Sequence, residues 1–287
     1  MTTNCLYKLT IGAVLLMTTG CSKFMDRDTY DSISADKFFT TETDLQLYTN
    51  GFAQNMTPSA TTIGYGDINA DYCALQIPAD LLRADGNVSP LNQTGWSESS
   101  WADLRNINYF LANLPKIKGK INQDLYNHYE GVGRFWRALF YFNKVRTFGG
   151  VPYYDQVVNS NDQEALTKPR DSREFVMDKV LEDLEFAYTN CLATDKFTNS
   201  ATQINKWIAA AYTSRVALFE GTYRKYHQVD PSTGNSWTNR NTAIEKFLTA
   251  ATASAEVVIQ TGPFHLVTGD PQTAYRSLFN SANLKKD

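Results

Sequence analysis

The chain has 287 residues, 43% of them hydrophobic and 20% charged, enough apolar material for one large domain or two small ones. A formal net charge of -3 offers no basic stripe to neutralise phosphates, which argues against a nucleic-acid partner. His128, His227 and His265 stand far apart and there is no CxxC or HExxH pair, so neither a metal site nor a cofactor has local support.

The N-terminal stretch LYKLTIGAVLLMTTGC carries one Lys, an apolar run from Leu9 to Met17, small residues and then Cys21. That is the layout of an export signal, and its run is about half of the ~20 residues a membrane-spanning helix needs. Cys21 directly after Gly20 resembles a bacterial lipobox, with Thr18 where a Leu is usual, so that Cys21 is expected to carry the lipid anchor. An ordinary signal peptide with an incidental Cys is the alternative. Residues 1–20 then form the signal peptide and 21–35 a solvated tether containing Asp26, Asp28 and Asp31.

From Asp36 onward Phe38, Phe39, Leu45, Tyr48 and Phe52 recur at helical spacing, predicting a helix to about Met56 that Pro58 ends. Residues 57–95 change character: Gly and Pro punctuate a polar stretch too long for an ordinary connection, and such loops tend to be functional. Beyond it, Trp101, Leu104, Ile107, Phe110, Leu111 and Leu114 form one stripe, with Ser97 or Ser99 as the expected N-cap. Further helices are expected over 122–148, 172–193, 202–226 and 241–261, with no alternating strand anywhere. The predicted fold is all-α: a helix-hairpin scaffold over 36–287 with long irregular loops, some hairpins of tetratricopeptide size.

The stretch RFWRALFYFNKVRTFGGVPYY is unusually rich in aromatic residues. On a helix, Val132, Phe135, Ala138, Leu139, Phe142, Val145 and Phe148 share one face, and Trp136 and Phe140 widen it; these aromatics are expected in the core rather than on a ligand platform. Arg134, Arg137, Tyr141 and Lys144 take the remaining polar strip. Gly149 and Gly150 stop the helix and Pro152 prevents its resuming. Cys73 and Cys191 are expected to be structural thiols, and pairing between them stays open.

FWRALFYFNKVRTFGGVPYY closely resembles the signature helix of the SusD/RagB outer-membrane lipoproteins. SSWADLRNINYFLANL is similar to the family's Trp-containing helix before it, KWIAAAYTSRVALFEGTY to its Ala-rich helix, and FLTAATASAEVVIQTGPFHL to the next helix of the family. The resemblance implies a tetratricopeptide-like scaffold at the cell surface that captures a nutrient, most naturally an oligosaccharide, without enzymatic activity. It also implies a TonB-dependent, SusC-like transporter as partner and the outer membrane as location. Family members continue beyond AYRSLFNSANLKKD into a Glu-led strand and a second half that contributes ligand surface, so the chain corresponds to an N-terminal portion.

Glycan binding asks for exposed flat aromatics and fixed polar groups for hydroxyl pairs. The 57–95 segment and its exit supply both, and Tyr65, Asp67, Asn69, Asp71, Tyr72, Arg83, Asp85 and Trp96 are the candidates. Against them stands packing of Tyr72 and Trp96 onto the helices with the polar groups solvated. A glycosidase would need two carboxylates flanking a bond; Glu182, Asp183 and Glu185 cluster, but are expected to form a solvated helix face. GVGRFW lacks the third Gly of a dinucleotide loop. The alternative binding reading is a surface helical-repeat lipoprotein that takes peptide or protein.

Overall fold

The structure is a computed structural model that describes residues 38–58, 95–194, 203–266, 268–270, 272–274 and 276. The chain divides into two units after Phe38, and every helix named below belongs to the unit from Phe39 onward. These are α1 Glu42–Met56, α2 Ala102–Asn113, α3 Gln123–Phe148, the short α4 Gln163–Leu166, α5 Arg173–Asn190, α6 Lys206–Tyr226 and α7 Arg240–Glu256. Tight turns flank α2, and a π-type turn, Val257–Thr261, extends α7. Helix α1 begins at Glu42, so that Phe38 and Phe39 of its apolar pattern lie before its cap. Thr41 and Asp44 form a reciprocal capping box that satisfies the orphan amides there, and periodicity carries no information on caps. Asn122, Ser172 and Asn205 cap α3, α5 and α6 with a side-chain oxygen. Ser97 precedes its turn without a capping hydrogen bond, contrary to expectation.

Apart from the short α4, each helix packs beside the next: α3 lies between α2 and α5, α5 against α6, and α6 against α7, while α1 rests on α2 and α3. This is an all-α, tetratricopeptide-like stack of hairpins, as the sequence predicts. The long α3 is buried on two sides, and two glycines permit the close approach. A Cβ on Gly131 would lie 2.8 Å from Cys191 Sγ on one side, and one on Gly133 would lie 2.7 Å from Leu111 Cδ2 on the other. Phe135, Trp136, Phe140, Tyr141, Phe142 and Tyr153 are all buried, so the aromatic run is core. Leu139 and Phe148 are only half-buried.

Of the expected polar strip of α3, Arg134 is partly exposed, but Arg137, Tyr141 and Lys144 are buried. Arg137 is 8% exposed and donates two hydrogen bonds to Asp183 of α5, at 2.7 and 2.8 Å. Burial opposes the Arg137 charge, but the hydrogen bonds and charge of Asp183 outweigh it and hold the guanidinium protonated. Asp183 is therefore buried, and the expectation of a solvated Glu182, Asp183, Glu185 face is corrected: Glu182 is exposed beside Lys179, Glu185 is half-buried, and Asp183 joins two helices. Tyr141 is fully buried because its hydroxyl is fully partnered there. It donates to Tyr154 O and accepts from Tyr154 N, pinning the extended return segment after α3. Asn108 Nδ2 of α2 donates to the same Tyr154 carbonyl and to Gln156 O.

A second polar core joins α5 and α6. Glu220 accepts from Arg173 at 2.6 Å and from Arg224 at 2.8 Å, and all three side chains are almost fully excluded from solvent. Arg173 also lies 3.7 Å from the centroid of the Tyr223 ring. Cys191 carries a free buried thiol, which burial pushes up to about 12, the behaviour of an inert structural cysteine. Its sequence counterpart Cys73 lies outside the described residues.

Candidate ligand-binding site

Of the sequence candidates, Tyr65, Asp67, Asn69, Asp71, Tyr72, Arg83 and Asp85 lie outside the described residues, as does the anchor residue Cys21. Trp96 is described, at the exit of the 57–95 segment, and it is 38% exposed. Its indole meets the Phe148 ring at 4.9 Å and the Trp101 ring at 5.5 Å, both edge to face. Trp101 in turn packs on Phe140 and Tyr154. The aromatic run of α3 thus divides: most of it fills the core, and its last ring, Phe148, reaches out to support Trp96.

The fold positions this cluster through the end of α3. Gly149 has φ 70° and ψ -130°, a conformation side chains resist, and a Cβ there would fall 2.7 Å from Ser232. That turn lets the chain leave α3 and return as Val151–Tyr154, whose last ring packs on Trp101. Lys144 fixes the other side. Its buried ammonium donates to Gly95 O and to Ser100 Oγ, and sits 5.0 Å from the Trp101 ring and 5.1 Å from the Phe140 ring. Burial holds this ammonium below the ordinary lysine value, and Asp103 opposes the shift. A buried cation with backbone and hydroxyl partners therefore ties the exit of the 57–95 segment to α3 immediately before Trp96. The sequence places Lys144 only on the polar strip of the helix, which does not reveal this anchor.

Arg170 is the other residue the sequence did not single out. Its guanidinium carbon stands 4.6 Å from the Trp96 ring centroid, and its Nη1 donates to Phe148 O at 3.1 Å. No local pattern links positions so distant in sequence. Elsewhere, a shallow open groove of about 440 Å³ runs between α5 and α7, lined by Glu185, Tyr188, Glu245 and Lys246 among others. It shares no residue with the Trp96 cluster and presents one tyrosine, a weaker platform for a sugar face. Among the described residues there is no group of three His, Cys, Asp or Glu arranged to hold a metal, and no helix long and apolar enough to cross a membrane.

A stack of helix hairpins with a half-exposed aromatic cluster at the end of its longest inner helix defines a tetratricopeptide-like scaffold protein. The family is specific: a model described as starch-binding and associating with the outer membrane, of the SusD-like group, matches residues 23–218, and the chain belongs to the SusD-like family. SusD-like protein P2 of Formosa agariphila is 27% identical over 232 residues, covering 76% of this chain and 44% of the relative. SusD-like protein P38 of the same organism is 28% identical over 177 residues, or 59% of this chain and 34% of its own. The chain thus spans less than half the length of these relatives. Among solved structures, a SusD-like protein of Bacteroides fragilis superposes with a TM-score of 0.60 at 22% identity, over 91% of this chain and 46% of its own. A second from that organism, described as a SusD-like carbohydrate-binding protein, gives 0.55 at 15% identity, over 82% and 43%.

Proposed function

We propose that the chain is part of a cell-surface lipoprotein that binds oligosaccharide and delivers it, without catalysis, to a partner TonB-dependent, SusC-like transporter in the outer membrane. The observation that carries the binding step is Trp96. It is a half-exposed indole held at the exit of the 57–95 segment by Lys144 and backed by Phe148 and Trp101, in a chain whose family model is described as starch-binding. Aromatic support of this kind fixes the indole plane before a ligand arrives, which reduces the ordering cost of stacking a sugar on it. In this reading residues 57–95, with Tyr65, Asp67, Asn69, Asp71, Tyr72, Arg83 and Asp85, supply the hydroxyl contacts, 1–20 is the signal peptide, and 21–35 is the tether.

Titration calorimetry of the complete protein against a panel of oligosaccharides and equally sized peptides tests the binding step. Oligosaccharide binding is expected, and Trp96→Ala should weaken it by about 2 kcal/mol while the unfolding midpoint moves little. Unchanged affinity with a large loss of stability would place Trp96 in the core instead, and binding of peptides alone would favour the peptide-binding reading. Anchoring is tested separately: Cys21→Ala should move the protein from the membrane fraction to the soluble fraction, because stable attachment needs the acyl chains that this cysteine would carry. Unaltered membrane retention would rule the lipid anchor out.

A further inference from the structure

Building on the oligosaccharide reading of Trp96, we propose that Arg170 makes this site selective for acidic glycans, with the guanidinium binding the carboxylate of a uronate unit stacked on the Trp96 indole. Four observations carry it. The guanidinium carbon stands 4.6 Å over the indole and covers part of its face, so a pyranose that stacks beside it on the uncovered part of the ring brings a ring carboxylate to the guanidinium edge. Arg170 is an exposed residue, and its hydrogen bond to Phe148 O engages Nη1, so Nε and Nη2 remain for a ligand. Among the described residues no carboxylate pairs with it. Its neighbour Asp171 is engaged by Lys168 at 2.7 Å and by the Tyr153 amide at 2.8 Å. Finally, Phe148 O and the indole together hold the guanidinium plane in place, which is the preorganisation that two-point recognition of a planar carboxylate requires.

A neutral sugar gains nothing from an arginine so placed beyond a hydroxyl contact, whereas a uronate gains a charge-assisted pair. In the competing account Arg170 only caps the C-terminal carbonyls of α3 and steadies Trp96, and it then affects all sugars alike. The complete protein is titrated with uronate-bearing oligosaccharides and with the same compounds after reduction of the carboxyl groups to alcohols. The uronate forms should bind more tightly, and their advantage should shrink as salt is raised. Arg170→Gln should cost the uronate forms roughly tenfold in affinity, the loss of one charge-assisted hydrogen bond, and cost the reduced forms far less. Arg170→Lys should restore part of the difference. Equal binding of both forms by the unaltered protein, or an equal loss for both in Arg170→Gln, overturns the acidic-glycan assignment while leaving sugar binding at Trp96 intact. If neither form nor any neutral oligosaccharide binds, the oligosaccharide reading falls with it.

Discussion

Replacing Glu220 with alanine is expected to lower the unfolding free energy by about 3–5 kcal/mol. Glu220 is 0% exposed and is the shared acceptor of Arg173 and Arg224, themselves 2% and 1% exposed. Removing it strands two guanidinium charges in a medium of low polarity. Neither has a good substitute partner: Arg224 has Glu174 only at 3.7 Å, and Arg173 retains a hydrogen bond to Val145 O at 3.4 Å and its stacking on Tyr223. The same truncation at Glu182, whose pair with Lys179 is exposed, should change stability by less than about 1 kcal/mol. Urea unfolding of the two variants decides the matter. If Glu220→Ala is no worse than Glu182→Ala, the triad is not the polar core of the α5 and α6 pair.

Phe142→Ala should be comparably damaging, at about 3–5 kcal/mol. The ring is buried in α3 and meets the Phe219 ring of α6 edge to face at 5.3 Å, so truncation leaves a cavity between two helices whose backbones cannot close it. Arg134→Ala, on the same helix, should cost about 1 kcal/mol. Its guanidinium is partly exposed, pairs with Glu130 one turn away at 2.8 Å and lies 4.0 Å over the Phe186 ring. Equal losses from the two substitutions would mean that α3 is rotated from the orientation described.

Much of this architecture is legible in the sequence alone. Helices over 122–148, 202–226 and 241–261 are predicted by apolar spacing, and their observed limits differ by a few residues at most, α7 being continued by its π-type turn. The stop at Gly149 is equally visible, since only glycine is at ease at φ 70°. Trp96 stands out by composition, as an aromatic residue closing a long polar stretch. Arg170 and Lys144 could not be found that way. One is defined by a ring far along the chain, and the other by the carbonyl of Gly95 on a different segment.

What the sequence determined by itself is therefore the long helices, their apolar faces and the family, because each depends on residues within a few turns of one another. What only the tertiary structure decided is the fate of the polar side chains on those helices. Asp183 is expected on a solvated face, Arg137 and Lys144 are placed only on a polar strip, nothing local marks Glu220, and periodicity cannot separate a solvated charge from a buried one. A charge can leave water only when a partner meets it, and the partners of these four lie largely on other elements: Asp183 for Arg137, Gly95 for Lys144, Arg173 for Glu220. The packing of one hairpin on the next brings those partners together, so the burial of these groups is a property of the stack and not of any helix in it.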